Sequence, residues 1–305
     1  MRVCFICLQP ISGDRYHPRC VRELFGKGNV PTIDVELAQL HTVALAMVGH
    51  TTLSGIQRKV SLHLETKSRT LQVAPDGGRF ILKPQAQTFP HLPENEHVTM
   101  RLAERAGIAI PPCGLITLKD ETLAYIVRRF DRTETGKRLL QEDFCQLAER
   151  APKDKYDASA ELCAKIVNRH ATAPGIEAAK LFRLMAFAWW TGNGDMHLKN
   201  FSLLRGEDGN YRLSPAYDLL STRLVIADDL LALSIDGNKK NVTRRQWMTY
   251  AAHCRVPPRA AERILSEIAA ATEDCAAMIA ESALTDKMKS DYAALIRKRA
   301  TTFAK

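Results

Sequence analysis

At 305 residues, 46% hydrophobic and 25% charged, the chain has room for one large domain or two modest ones and the balance of an ordinary globular protein. No apolar run is long enough to span a bilayer, and the opening MRVCFICLQPISGD turns polar too soon for a secretory signal. That predicts a cytoplasmic, reducing location, in which the eight cysteines do not form a disulfide framework. The 43 basic against 34 acidic side chains leave a formal charge of +9, which favours nucleic acid, nucleotides or an acidic protein as partner without choosing among them; a solvated basic surface explains it equally well.

In chain order, residues 1–26 stand apart. Cys4, Cys7, His17 and Cys20 form a C-x2-C-x9-H-x2-C pattern, two close pairs of soft ligands separated by a short loop that contains Gly13. Such pairs can close a tetrahedron around Zn²⁺, and a segment this short needs the metal to supply its folding energy. A zinc knuckle can read nucleic acid, but more often it is structural. Residues 27–48 read as a linker and a helix, GKGNVPTID into VELAQLHTVALAM. From 49 to 132 the patterns predict a small antiparallel sheet with one helix. Val60, Leu62 and Leu64 alternate with Ser61 and His63 as a half-buried strand, TLQVA and FILKP follow around the turn APDGG, and ETLAYIVRRFDR contains another strand. The helix is PENEHVTMRLAERAGI, opened by Pro93 and Glu94 and ended by Gly107. From 133 to 305 helices dominate. EAAKLFRLMAFAWW, apolar nearly all round, predicts a buried central helix, and FSLL and YRLS flank GEDGN as a hairpin. The fold class expected is α+β.

Polar groups concentrate where that central helix ends, in TGNGDMHLKNFSLL. Asp195 and Asn200 lie five apart on the exit loop, and one hairpin later Asp218 follows Tyr217, so the three can meet in one cleft. One acid to orient a hydroxyl, with an amide and a second acid for Mg²⁺, is the minimal equipment for phosphoryl transfer. Lys83 ends FILK; with Phe80 and Leu82 facing one side, Lys83 is expected on the other, away from the helix-packed face, where a strand lysine can reach nucleotide phosphates. Glu96 on the next helix could pair with it. Singly, each residue has a plainer reading: Asp195 a helix cap, Lys83 a solvated strand end, Glu96 a first-turn acid. Their order is that of a protein kinase: flexible loop, strand lysine, helix glutamate, strand, helices, D-x-H-x-x-N, hairpin, YD.

GNGDMHLKNFSLL and SPAYDLLS resemble the catalytic and metal-binding segments of the HipA family of serine/threonine kinase toxins. TLSGIQRK is similar to that family's phosphate loop and FILKP to its nucleotide-lysine strand; ENEHVTMRLAERAGI, VRRFDR and QEDFCQL also match, over roughly residues 49–240. The resemblance implies a two-lobed, protein-kinase-like fold. It implies Asp195 as the catalytic acid-base, and Asn200 and Asp218 as Mg²⁺ ligands. His197 and Tyr217 would line the nucleotide site, with Lys83, Thr52, Ser54 and Gly55 on the ATP phosphates. The adenine would meet the backbone near Arg129 and Phe130, with Asp131 beside it. It implies autophosphorylation of the loop at Thr52 or Ser54, which switches the kinase off, and an aminoacyl-tRNA synthetase as the class of target. Larger members carry an N-terminal subdomain in place of the knuckle and linker seen here. The chain therefore resembles the shortened members, and a small companion subunit and a DNA-binding antitoxin are the expected partners, with DNA contacted mainly through the complex and no membrane involved. Two rival readings stand beside this one: a small-molecule phosphotransferase of kinase-like fold, and a non-enzymatic zinc or nucleic-acid-binding module.

Overall fold

The computed structural model describes residues 2–46, 59–74, 77–133 and 135–304. They divide into two compact units: Met1–Arg101 with Pro111–Lys137 and Glu281–Leu284, and Leu102–Ile110 with Arg138–Ala280 and Thr285–Lys305.

In the first unit, helices α1 (Pro18–Phe25) and α2 (Leu37–Ala46) precede strands β1 (Val60–Glu65), β2 (Thr70–Val73) and β3 (Phe80–Lys83), helix α3 (Leu92–Arg105, in this unit up to Arg101), and strands β4 (Cys113–Thr117) and β5 (Leu123–Arg128). The strands form one antiparallel sheet in the order β2-β1-β3-β5-β4. Side chains alternate across a strand, so the sheet has two faces with different covers. On one, Val60, Leu62, Leu64, Phe80, Leu82, Ala124 and Ile126 share a core with Ile6, Val21, Leu24, Phe25 and Leu40. The N-terminal segment is thus packed into the sheet's own core, and α1, which the cysteine pattern did not announce, supplies much of the cover.

That arrangement corrects the expected facing of β3. Phe80 and Leu82 point at the N-terminal segment, and Lys83, one residue out of phase, points to the face carried by α3 rather than away from it. Ser61 is buried rather than exposed, because a side chain at Gly78 would stand 2.1 Å from its hydroxyl and only glycine lets the two backbones approach. β4 was missed: its five residues CGLIT lack alternation, and four of them are buried.

In the second unit, β6 (Gln141–Asp143) runs into helix α4 (Phe144–Leu147), followed by α5 (Ala160–His170) and α6 (Pro174–Thr191). The hairpin β7 (Ser202–Arg205) and β8 (Tyr211–Leu213) completes a three-stranded sheet, β6-β7-β8. Helices α7 (Arg244–His253), α8 (Pro258–Ala270), α9 (Thr272–Glu281) and α10 (Asp286–Ala304) follow. α6 starts on Pro174, whose fixed φ suits a first turn, and stops at Gly192 in the left-handed region at φ 75°. It is buried on nearly every side from Ala178 to Thr191. Trp189 stacks into an aromatic cluster with Trp247, Phe303, Phe182 and Tyr250, so the exit of α6 is anchored on a rigid base. Among the described residues no helix is long and apolar enough to cross a membrane.

Candidate active site

The left-handed turn at Gly192 throws the chain off α6 into the loop that carries Asp195. The Gly194 amide donates to Thr222 Oγ1 at 2.7 Å, and the Asp195 amide to Asn193 Oδ1 at 3.0 Å. Thr222 also bonds Gly192's carbonyl and the Asp229 carboxylate. A side chain on Gly194 would collide with Asp229 and with the Leu230 carbonyl at 2.4 Å, so the second glycine of TGNGD is a requirement of close approach. Asn200 donates its amide N–H to the Asp195 carbonyl at 2.8 Å, and the Asp195 carbonyl also accepts from the His197 amide at 2.8 Å. With its nitrogen spent there, Asn200 has Oδ1 to offer a cation.

The Asp195 carboxylate is part-exposed, and the Tyr156 hydroxyl donates to its Oδ1. His197 is buried, its Nε2 3.9 Å from the same oxygen and its ring edge-on to Tyr156 at 4.9 Å. Burial pushes the His197 pKa down; the Asp195 carboxylate opposes this, and Asp218 adds a smaller pull in the same direction, which puts Asp218 within electrostatic reach of the group. Asp218 itself adopts φ 55°, a left-handed conformation that aspartate tolerates better than most residues. Tyr217 donates its hydroxyl to the Lys199 carbonyl at 2.9 Å, and Lys199 pairs with Asp143 at 2.6 Å. An amide oxygen and a carboxylate are donors of the kind Mg²⁺ takes, its remaining positions usually going to water and phosphate.

Tyr156, Thr222 and Asp229 were missed. They carry no motif of their own, and only the second glycine of TGNGD hinted that something packs against that loop.

In the first unit, Lys83 and Glu96 are both buried, 3% and 1% exposed, and their charges meet at 2.5 Å. Lys83 also lies 5.5 Å from the centroid of the Tyr125 ring, its cross-strand neighbour. Arg129 grips Asp131 with two hydrogen bonds of 2.8 and 2.7 Å, and Arg132 adds a third at 2.6 Å. Burial alone would raise Asp131, but the two guanidiniums outweigh it and hold the carboxyl below its ordinary range. The Arg129 amide donates to the Arg79 carbonyl at 2.9 Å, which ties the residue after β5 to the residue before β3. Phe130 is half-buried. Thr52, Ser54 and Gly55 lie outside the described residues.

Cys4, Cys7, His17 and Cys20 converge: their ligand atoms all lie within 4.8 Å of one another. His17 Nδ1 is 3.3 Å from Cys7 Sγ and 4.0 Å from Cys20 Sγ. These separations bracket the edge of about 3.6 Å that a tetrahedron with Zn–S and Zn–N bonds of normal length requires. His17 Nε2 lies 3.1 Å from the Pro10 carbonyl, which can only accept, so the proton sits on Nε2 and the Nδ1 lone pair faces the thiols. The Cys7 thiol and nearby backbone amides draw Cys4 down to about 4, while giving that bond and burial push Cys7 up. The four side chains together could hold a metal ion.

The chain matches the family model described as HipA-like C-terminal domain over residues 51–276. It is 31% identical over 182 residues to a Haemophilus influenzae protein named "Putative kinase", covering 55% of this chain and 52% of that one. Against the Sinorhizobium fredii protein named "Putative kinase Y4mE" it is 31% identical over 242 residues, covering 75% and 57%. The chain thus spans about half the length of the curated relatives it matches. Among solved structures it is similar to the Shewanella oneidensis HipA of a HipA, HipB and operator DNA complex, with TM-score 0.69 and 21% identity over 82% of this chain and 64% of that one. It is also similar to the Helicobacter pylori proinflammatory kinase CtkA, with TM-score 0.54 and 14% identity over 73% and 86%. The fold is accordingly of the HipA-like and kinase-like α+β class.

Proposed function

The chain belongs to the HipA-like C-terminal domain family, and from that premise we propose that it is an ATP- and Mg²⁺-dependent serine/threonine protein kinase, the toxin of a toxin–antitoxin pair. The observation that carries this reading is the Asp195 loop: a part-exposed carboxylate on a backbone tied down by Asn193, Asn200 and Thr222. ATP would supply the phosphoryl group, with Mg²⁺ offsetting its charge. Asp195 would orient the accepting hydroxyl and take its proton; Asn200 and Asp218 would hold the metal through Oδ1 and carboxylate oxygen. Lys83, fixed by Glu96, would bind phosphate, as would the loop bearing Thr52, Ser54 and Gly55. His197 and Tyr217 would shape the nucleotide pocket, and the chain at Arg129, Phe130 and Asp131 would meet the base. Autophosphorylation at Thr52 or Ser54 would shut the enzyme off.

An aminoacyl-tRNA synthetase is the proposed class of target, and a DNA-binding antitoxin and a small companion subunit are the proposed partners. The antitoxin follows the HipB and operator DNA found with the Shewanella protein. Cys4, Cys7, His17 and Cys20 would hold one structural Zn²⁺. The test is incubation of the purified chain with labelled ATP and a bacterial lysate. A discrete labelled protein band, absent with Asp195→Asn, supports the proposal; label that moves only into small molecules overturns it in favour of a small-molecule phosphotransferase.

A further inference from the structure

The two residues between Cys4 and Cys7 are held on both sides. Phe5's carbonyl accepts from the Leu115 amide at 2.8 Å, which adds the N-terminal segment to β4, the edge strand of the sheet. Ile6's carbonyl accepts from His97 Nε2 at 3.0 Å. His97 is 1% exposed and lies on α3, next to Glu96. Tyr16, beside the ligand His17, donates to the Leu115 carbonyl at 3.1 Å. The approach is tight: a side chain at Gly114 would come within 2.8 Å of Ile6 and 2.9 Å of the Phe5 carbonyl. A buried imidazole spent on one backbone carbonyl across 91 residues of sequence is an unusual use of a polar group, since an apolar side chain would pack as well without a desolvation cost.

Cys4 and Cys7 bracket these carbonyls. One ion bound to both sulfurs fixes the turn between them, and so fixes where the Ile6 carbonyl points. His97 then ties α3 to that point, and α3 carries the glutamate that fixes Lys83. We propose that the Cys4, Cys7, His17 and Cys20 metal site is a positioning element of the enzyme: Zn²⁺ bound there sets α3 through the Ile6 carbonyl and His97, and so sets the Glu96–Lys83 pair that nucleotide binding needs. His97 is a positioning residue, not a catalytic one. This inference rests on the kinase reading above for its effect on ATP, though not for its effect on α3. It differs from a purely structural zinc site in one respect: the His97 link alone should reproduce part of the effect of metal loss while the metal stays bound.

The experiment uses the full chain and three readouts: zinc content by metal analysis, hydrogen exchange of the amides at 92–101 without nucleotide, and ATP affinity by titration. Wild type should carry one Zn²⁺. Chelator-stripped protein and the Cys4→Ser/Cys7→Ser variant should exchange faster at 92–101 and bind ATP more weakly, and zinc added back to stripped protein should restore both. Should the stripped forms unfold, His97→Leu carries the test. It should keep its zinc, exchange faster at 92–101 and lose about tenfold in ATP affinity, the size of one buried hydrogen bond, while His97→Gln, which keeps a donor, recovers most of that. No zinc in carefully prepared wild type overturns the metal site. Zinc present with exchange and affinity unchanged in His97→Leu overturns the coupling and leaves the kinase reading intact. Wild type that holds zinc and binds no ATP overturns the kinase reading, and exchange at 92–101 then still decides the coupling.

Discussion

Replacing Glu96 tests the first unit most directly, because its pair with Lys83 is withdrawn from water. With Glu96 at 1% and Lys83 at 3% exposure and 2.5 Å between the charges, neither has solvent to fall back on. Glu96→Leu takes from a buried ammonium the carboxylate that meets it at 2.5 Å, a change that costs up to about 3–5 kcal/mol. The Tyr125 ring remains 5.5 Å from Lys83 Nζ and offsets about 0.5–2 kcal/mol of that, which puts the expected loss near the lower bound, at about 3 kcal/mol. Glu96→Gln keeps an acceptor and forfeits only the charge assistance, about 1–1.5 kcal/mol. The double variant Lys83→Met/Glu96→Leu replaces the pair by apolar groups of similar size and should be more stable than Glu96→Leu alone, because the buried ammonium goes with its carboxylate. The assay must report on the correct unit. All three tryptophans, Trp189, Trp190 and Trp247, belong to the other one, so their fluorescence is the wrong probe. Hydrogen exchange in β3 and α3 during urea titration is the right one. Glu96→Leu within 1 kcal/mol of wild type, or losses that simply add in the double variant, would refute the reasoning.

Asp195→Asn should lower phosphotransfer at least about a hundredfold with ATP affinity kept, whereas Asp218→Asn should weaken Mg·ATP binding and respond to excess Mg²⁺; single-turnover transfer and calorimetric titration separate the two. Tyr156→Phe frees the Asp195 oxygen that an accepting hydroxyl must use, so kcat/KM for a protein substrate should rise by about threefold to tenfold, one exposed hydrogen bond's worth; a fall would assign Tyr156 a supporting role. Phosphate on Thr52 or Ser54 adds about 1.5–2 negative charges beside a triphosphate site, so the phosphorylated pool, separated and identified by mass spectrometry, should bind ATP more weakly than the unmodified pool. His97 should mark the acid limb of stability: burial, with Arg101 adding to it and the Ile6 carbonyl opposing, holds its folded pKa at about 3. Between pH 6.5 and 3 the unfolded chain takes up a proton that the folded chain refuses, so stability is lost as pH falls. The loss is about 2 kcal/mol at pH 5, and His97→Gln should flatten that limb in pH-dependent urea titrations.

What the residues announced and what they concealed divides along physical lines. The hairpin around GEDGN and α6 were legible because turn chemistry and an all-round apolar run are local signals. The convergence of Cys4, Cys7, His17 and Cys20 was legible because ligand spacing is itself a geometric constraint. β4 and β6 were not: CGLIT has no alternation and QED has no apolar face, and each becomes a strand only by pairing with β5 or β7. The face toward which Lys83 points was misjudged for a related reason. Period-two alternation sorts residues into two faces but does not say what covers either, and a 26-residue segment treated as separate turned out to be the cover. Tyr156 was invisible altogether, because a loop tyrosine acquires its meaning only from a carboxylate 39 positions away.

α3 shows how such a sheet can be fitted with a helix that is apolar on only part of its surface. Asn95, Glu96, His97, Thr99 and Arg101 are all buried. Glu96 meets Lys83, His97 meets the Ile6 carbonyl, Thr99 donates to Asn95, and Arg101 reaches Cys113 Sγ at 3.3 Å. Apolar residues at these positions would bury at least as favourably, since desolvating charges and imidazoles costs what their partners return. What polar partners add is register. A helix packed by leucines can slip or rotate by a fraction of a turn at small cost, whereas here any rotation would part the Glu96 carboxylate from Lys83 and the His97 imidazole from the Ile6 carbonyl together. The partners come from β3, from β4 and from the metal-ligand loop, so three separate parts of the unit must agree before Glu96 is seated. A helix held in that way delivers Glu96 to Lys83 in one orientation, which is what a residue meant to position a phosphate-binding lysine requires.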